Sequence, residues 1–143
     1  MAGNANMKIK TRDFKILMQT VADAWNNKDP HKAVGCFSPD AVYMEPPDKQ
    51  LVVGQKNLLE YFGGDNPKEM RLTWHNLMFD EENQIGSGEF TFRMEGRQGN
   101  HGMIVAELQD GRIKFWREYY QISDLDFKDF ISIGNKSFKY KLE

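Results

Sequence analysis

Residues 115–120, FWREYY, carry an acid within an aromatic run. Successive side chains of a strand point to opposite faces of the sheet, so Trp116, Glu118 and Tyr120 share one face. A carboxyl group between aromatic side chains loses hydration of its charged form, which raises its pKa toward the range useful for general acid or base catalysis. We therefore take Glu118 as the first catalytic candidate, and Trp116 and Tyr120 as candidates for ligand binding. A hydrogen bond to a ligand, or a structural pairing with a buried donor, would also account for this acid.

A second acid, Glu45, ends the β-type run AVYME and directly precedes a proline. Pro46 favours an extended backbone at Glu45 and so limits where the carboxylate points. Tyr43 shares its face of the strand with Glu45. Two carboxyls in one cavity push their pKa values apart, leaving one protonated and one ionised, as a paired acid and base require. A carboxylate positioned in this way makes Glu45 a catalytic candidate, but a simple turn or rim position suits it equally; Tyr43 is a candidate for ligand contact.

The three histidines and the single cysteine give no metal-binding pattern. His31, His75 and His101 show neither i,i+4 nor H-x-H spacing, and Cys36 has no C-x-x-C partner. His31 is expected to be solvated, whereas His75 and His101 could face either side of a sheet. Cys36 is expected to be a small buried residue in a reducing compartment. We predict no metal and no cofactor.

Length and composition indicate one globular domain. The chain has 143 residues, 40% of them hydrophobic, and an aromatic content of 13% that leaves rings to line a site. A formal net charge of -2 with mixed signs argues against nucleic-acid binding, which needs a basic face. No apolar stretch approaches the roughly 18 residues of a membrane span or forms a signal peptide, so a cytoplasmic location is expected.

Two helices are predicted near the N-terminus. Thr11 suits the N-cap of the first, and Asp29-Pro30 suits the start of a second that runs through Phe37 and ends at Ser38-Pro39-Asp40. The first helix should bury one apolar stripe against a flat surface. The residues of this stripe are Phe14, Leu17, Met18, Val21 and Trp25.

The remaining elements read as a hairpin, a helix and a meander. AVYME and LVV flank the turn residues PPDK, and a third helix, QKNLLEYF, lies between Gly54 and Gly63-Gly64. Four antiparallel strands are then predicted, followed by one helical turn in which Phe127 and Phe130 face inward. The predicted strands are 70–80, 84–95, 100–109 and 112–122.

Helices followed by a long meander indicate an α+β fold. The order of elements and the stretches DAVYMEPP, VVGQKNLLEYF and DGRIKFWREYYQ resemble the nuclear transport factor 2-like superfamily, in its polyketide-cyclase-like and epoxide-hydrolase-like branch. The resemblance implies a cone-shaped curved antiparallel sheet wrapped around the long N-terminal helix, with two shorter helices. It implies a single domain over residues 11–131, with terminal extensions 1–10 and 132–143.

The resemblance also implies roles for the two acids. Epoxide-hydrolase-like members place a catalytic carboxylate at the position of Glu118, with a pocket-lining aromatic two residues later, and ketosteroid-isomerase-like members place their general base at that of Glu45. The strand GEFTFRM lacks the Arg-x-Asp of the epoxide-hydrolase-like members. The ketosteroid-isomerase-like members form an oxyanion hole from a Tyr on the first helix and an Asp on a central strand, and here the first helix lacks that Tyr and the strand HGMIV lacks that Asp. These departures argue against epoxide hydrolysis by that mechanism and against steroid isomerisation.

Three further aromatic residues are candidates for ligand contact: Trp25, Phe90 and Phe92. Glycines 86 and 88 precede Phe90 and Phe92 on the same face, which predicts either curvature and room for a ligand or packing against the long helix.

Arg117 and Tyr119 lie on the face of the strand FWREYY opposite to Glu118. This face is amphipathic, and the resemblance implies a homodimer through it. We therefore expect a protein that binds a small hydrophobic molecule, with or without cofactor-free acid–base chemistry; a non-catalytic ligand-binding or dimerisation module is the alternative.

Overall fold

The computed structural model describes residues 7–142. This part of the chain contains six strands in one mixed sheet and four helices. Residues 1–6 and 143, which belong to the expected terminal extensions, lie outside the described residues. The helices are α1 (Thr11–Asn26), α2 (Pro30–Gly35), α3 (Gln55–Tyr61) and α4 (Phe127–Phe130). The strands are β1 (Phe37–Met44), β2 (Leu51–Val53), β3 (Met70–Asp80), β4 (Ile85–Met94), β5 (Arg97–Gln109) and β6 (Arg112–Ile122).

Helix α1 lies on the inner face of the sheet and supplies much of the core. The predicted apolar stripe is buried along its whole length except for Leu17, which is only partly covered. Each fully buried apolar side chain contributes about 1.5–3 kcal/mol, so this stripe fixes the helix on the sheet. Thr11 is the first helical residue, and the N-cap is Lys10. The backbone N–H and the hydroxyl of Thr11 both donate to the Glu81 carboxylate.

Helix α2 begins as predicted and ends earlier. The Asp29 side chain accepts a hydrogen bond from the backbone N–H of Lys32, and Pro30 occupies the first helical position. The predicted continuation to Phe37 is wrong, since the helix ends at Gly35. Phe37 pairs with Ile113, so the sheet takes over this part of the chain.

The strand order is β2-β1-β6-β5-β4-β3. The predicted hairpin β1–β2 and the antiparallel meander β3–β6 are both confirmed. They join through a parallel pairing of β1 with β6, which makes the curved sheet mixed rather than wholly antiparallel. This pairing places Tyr43 beside Trp116 and Met44 beside Arg117.

The described ends of the chain differ in how they are held. The backbone of Ile9 exchanges two hydrogen bonds with the buried side chain of Gln84, so residues 7–10 are tied to the β3–β4 turn. Residues 132–142 contain neither helix nor strand. Between residues 7 and 142, no helix has the length and apolar character needed to cross a membrane.

Candidate functional site

A cavity of about 260 Å³ opens at one end of the inner face of the sheet. Its walls are mostly apolar and aromatic, and two carboxyl groups and two basic side chains share its lining. Such a composition, with few polar groups among apolar walls, is typical of small-molecule sites. The lining residues are Trp25, Tyr43, Glu45, Tyr61, Phe62, Gly63, Asn66, Lys68, Met70, Leu72, Phe92, Met94, Arg97 and Glu118.

Glu118 is the more deeply buried of the two acids, with 6% of the residue exposed. Its Oε1 accepts a hydrogen bond of 3.1 Å from the indole Nε1 of Trp116. Burial raises the pKa of Glu118 well above its ordinary value, and the nearby charge of Glu45 raises it further. The Trp116 bond and the charge of Arg97 oppose this shift only in part. Burial therefore favours the protonated form of Glu118.

Glu45 has a better-solvated and better-bonded carboxyl group. Its Oε2 accepts a hydrogen bond of 2.6 Å from the hydroxyl of Tyr43. Burial raises the pKa of Glu45, while Tyr43, the neighbouring hydroxyl of Tyr61 and the charge of Arg97 each lower it. Because these donors favour the charged form, Glu45 is the member of the pair that ionises first.

The parallel pairing of β1 with β6 brings the two acids together. Tyr43 pairs with Trp116 and Met44 with Arg117, Glu45 and Glu118 directly follow these last partners, and both acids line the cavity. The ring of Tyr43 stacks on Trp116 at a centroid distance of 5.6 Å and an interplanar angle of 8°. The donors to the two carboxyls thus support each other, and the pair is held by packed rings.

The structure places five of the eight residues proposed from the sequence in the cavity lining: Glu118, Glu45, Tyr43, Trp25 and Phe92. The other three lie outside that lining. Trp116 is fully buried behind it, where it holds Glu118. Phe90 is buried against Trp74. Tyr120, two residues after Glu118 on β6, is half-buried against the core. Their contribution is to packing around the site.

The glycines beside Phe90 leave room for core rings. An added Cβ at Gly86 would collide with the ring of Phe14, and one at Gly88 would collide with Trp74. The bare positions on β4 are therefore filled by the aromatic side chains of α1 and β3.

Tyr61, Lys68 and Arg97 are site residues that sequence analysis did not identify. Tyr61 is the last residue of α3, Lys68 lies in the connection to β3, and Arg97 begins β5 after a turn. None of them belongs to an apolar stripe or an alternating pattern. Only the tertiary fold brings these three chain segments to the mouth of the cavity.

His75 and His101 lie on the outer face of the sheet, away from the two acids. His75 Nε2 is 2.6 Å from the hydroxyl of Thr91, which is 2.8 Å from His101 Nδ1. His101 Nε2 donates to the backbone oxygen of Leu125 at 2.8 Å. Helix α4 covers both rings: Phe127 stacks on His75 and Phe130 packs on His101. Phe127 and Phe130 therefore face inward as predicted, but onto histidines rather than into the cavity.

His31 is exposed and Cys36 is buried, as predicted. Among residues 7–142, no three His, Cys, Asp or Glu side chains are grouped so as to hold a metal ion.

The fold and the site define a class of α+β domain. In this class one helix lies against a curved, unclosed mixed sheet, with a cavity between them. A family model described as the SnoaL-like domain matches residues 18–116. The chain belongs to this family and, as the resemblance in its sequence implied, to the nuclear transport factor 2-like superfamily. A search among curated proteins finds no match to the sequence.

Solved structures with low sequence identity share the fold. A protein of unknown function with a cystatin-like fold from Methylobium petroleophilum is similar with a TM-score of 0.69 and 19% identity, over 85% of this chain and 84% of that one. SalBIII, an epoxide hydrolase/cyclase-like enzyme with a role in pyran ring formation in salinomycin, is similar with a TM-score of 0.69 and 18% identity, over 79% of this chain and 94% of that one. An LEH-like epoxide hydrolase from M. tuberculosis is similar with a TM-score of 0.64 and 22% identity, over 78% of this chain and 84% of that one. At these identities the likeness concerns the fold alone.

Proposed function

We propose that this protein binds a small hydrophobic molecule in the aromatic-lined cavity and catalyses a cofactor-free proton transfer on it. Glu118 is the general acid and Glu45 the general base. The observation that carries the proposal is that one buried and one half-buried carboxyl, with different hydrogen-bond partners, line the same cavity. Such differences separate the pKa values of an acid and a base that act together.

The hydrogen bonds assign the protons. Trp116 donates to Oε1 of Glu118, so in the protonated acid the proton belongs on Oε2, which has no hydrogen-bond partner among residues 7–142. Glu45 accepts a hydrogen bond from Tyr43, which favours its charged form, so the proposal makes Glu45 the carboxylate of the pair. Glu45 takes a proton from a carbon or hydroxyl of the substrate, and Glu118 gives its proton to the oxygen on which negative charge develops.

This exchange of protons suits isomerisation, cyclisation, dehydration or hydrolysis of a substrate that carries a carbonyl, hydroxyl or strained ether oxygen. The cyclase-like and epoxide-hydrolase-like enzymes of the same fold support chemistry of this kind, with the fold as the only link. The 260 Å³ cavity is near the lower end of the usual range for ligand sites, about 300–1,000 Å³. A compact substrate is therefore expected.

One observation favours a second candidate function, ligand binding without catalysis. The 2.6 Å bond from Tyr43 already occupies one oxygen of Glu45, and a fixed carboxylate of this kind also suits recognition of a ligand hydroxyl. In that case Glu118 and Glu45 would position a ligand and leave it unchanged.

Mass spectrometry of a metabolite extract separates the two candidates. The extract is incubated with the wild-type protein, with Glu118→Gln and with Glu60→Gln, which changes an exposed acid outside the cavity. A compound converted by wild type and Glu60→Gln but at least about 100-fold more slowly by Glu118→Gln supports catalysis, since general acids contribute roughly 10²–10⁴-fold. Conversion at an equal rate by all three contradicts the role of Glu118. Retention without conversion supports the second candidate.

We further propose a homodimer through the outer face of β5 and β6. Met103 and Tyr119 are register partners there and are 38% and 51% exposed. Arg117 and Glu107 form a 2.6 Å ion pair along the same face. A mixture of exposed apolar side chains and a paired charge is typical of an interface.

A further inference from the structure

Two basic side chains line the mouth of the cavity and have no acidic partner. Neither Lys68 nor Arg97 lies within 4.0 Å of a carboxylate among residues 7–142, where four ion pairs are formed by other basic residues. The nearby Glu69 is already engaged by Lys28 at 2.8 Å. Among residues 7–142, the hydrogen bond that the guanidinium of Arg97 makes is to the thioether of Met94, at 3.8 Å. Lys68 and Arg97 therefore keep their charges available at the rim.

The charges around the cavity differ in how they are held. Its lining contains two exposed cations and two acids, and burial raises the pKa of Glu118, which favours the uncharged form of that acid. The positive charge of Arg97 acts on both Glu45 and Glu118 without pairing with either. Since neither cation is within 4.0 Å of an acid among residues 7–142, an anion bound at the rim would meet two unpaired positive charges.

The rim and the inner wall differ in chemistry. Trp25, Leu72 and Phe92 provide apolar surface within the cavity, whereas Lys68 and Arg97 are exposed and belong to separate chain segments. A molecule that satisfies both regions has an apolar body and an anionic end. The planar fork of Arg97 matches the two oxygens of a carboxylate, and Lys68 adds a point charge.

We propose that the ligand of this cavity is an amphipathic carboxylate, whose apolar body lies against Trp25, Leu72 and Phe92 and whose carboxylate is bound at the rim by Arg97 and Lys68. This inference rests on the proposed function, because it names the class of molecule that the same cavity takes. Arg97 and Lys68 are specificity-determining residues in it. They bind the charged end of the substrate, and neither gives or takes a proton in the proposed reaction.

Calorimetric titration with matched probes tests the inference without requiring turnover. The probes are 3-phenylpropanoate, 4-phenylbutanoate and octanoate, each compared with its own primary amide at low ionic strength. The proteins are wild type, Arg97→Gln, Lys68→Gln and the control Lys56→Gln, an exposed residue of α3 that does not line the cavity. The amides keep the shape of the acids and remove only the charge.

The expected result is that at least one carboxylate binds wild type about 5- to 20-fold more tightly than its amide. Exposed ion pairs each contribute about two- to fivefold, so Arg97→Gln and Lys68→Gln should each reduce this preference by that factor, and Lys56→Gln should not. Added salt should weaken the preference as well.

Two results would overturn the inference, and they differ in what they say of the proposed function. Equal binding of acids and amides, or a preference that neither rim variant changes, would overturn the anionic ligand and leave a neutral one in the same cavity. Binding of neither member of any pair by wild type would overturn the inference together with the small-molecule cavity on which it rests.

Discussion

At the scale of single residues, two glutamates differ because their neighbours differ. Glu118 is enclosed by the sheet and receives one indole N–H, whereas Glu45 receives a phenol hydroxyl and lies nearer to other donors. Desolvation without enough compensating hydrogen bonds favours the protonated form, and strong donors favour the charged form. The different pKa shifts of the two glutamates thus depend in part on one Trp and two Tyr side chains, and the proposed roles of acid and base rest on this difference.

Replacing Glu118 by Gln should stabilise the fold. The raised pKa of Glu118 means that the folded state holds its proton more tightly than the unfolded chain, so stability falls as pH rises above about 4.5, the ordinary value, toward the raised pKa. Gln cannot ionise and keeps an oxygen for Trp116. We expect the free energy of unfolding to rise by about 0.5–2 kcal/mol at pH 8, as replacements of functional residues commonly give.

Urea unfolding of wild type and Glu118→Gln at pH 5 and pH 8 measures this effect. The gain should be smaller at pH 5, where the unfolded chain also begins to bind the proton. A variant that is less stable than wild type at both pH values would show that the Glu118 carboxylate contributes to the fold.

Sequence reasoning identified both acids but could not place them side by side. The alternation in FWREYY assigns Trp116 and Glu118 to one face, and this much is local. Which of these residues reaches the cavity depends on Tyr43, which stacks over Trp116 and excludes it from the lining. That contact requires the parallel pairing of two strands far apart in the chain, and no short-range pattern specifies it.

At the scale of elements, strand bounds were the most predictable feature. The turn residues around EEN, EGRQG and QDG mark the ends of the meander strands, and the structure agrees within a few residues. The end of α2 was less predictable, because strand pairing of Phe37 overrides its helical pattern. Sequence analysis also missed Tyr61, Lys68 and Arg97. These residues lie in a loop or at the end of an element, where no hydrophobic periodicity indicates which way a side chain faces.

Helix α4 closes over two histidines on the outer face, and this contact should respond to pH. Burial and the charge of His101 lower the pKa of His75, while Glu89 opposes the shift. A lowered pKa means that the folded state disfavours the proton, so the contact is complete above the ordinary value of about 6.5 and weakens as pH falls below it.

Hydrogen exchange of residues 124–131 at pH 7.5 and pH 5.5 tests this response, after correction for the intrinsic pH dependence of exchange. Protection should fall at pH 5.5 in wild type. The variant His75→Phe keeps an aromatic ring against Phe127 and cannot titrate, so its protection should change less. Equal loss of protection in both proteins would assign the pH response to other groups.

At the scale of the whole molecule, the two faces of the sheet have separate tasks. The inner face carries α1, the core and the cavity, while the outer face carries α4 and the exposed surface around Tyr119. A dimer through the outer face would leave the mouth of the cavity free. The proposed ligand site and the proposed interface can therefore be tested by separate substitutions.

Light scattering coupled to size-exclusion chromatography tests the dimer. Wild type should have twice the chain mass of 16.7 kDa. Tyr119→Glu places a charge in the proposed interface and should shift the protein to monomer, with at least about tenfold weaker association. Lys15→Glu, on the exposed side of α1, should remain dimeric. Monomeric wild type at all concentrations would contradict the dimer.

The central claim is that Glu118 is protonated and Glu45 ionised in the same cavity near neutral pH. A carbon NMR titration of protein labelled at the glutamate carboxyls tests it most directly, with Glu118→Gln and Glu45→Gln to assign the signals. We predict one carboxyl signal that titrates well above the ordinary glutamate value and is missing in Glu118→Gln, and a second signal, missing in Glu45→Gln, that titrates at a lower pH than the first. Titration of both carboxyls near the ordinary glutamate value of about 4.5 would contradict it.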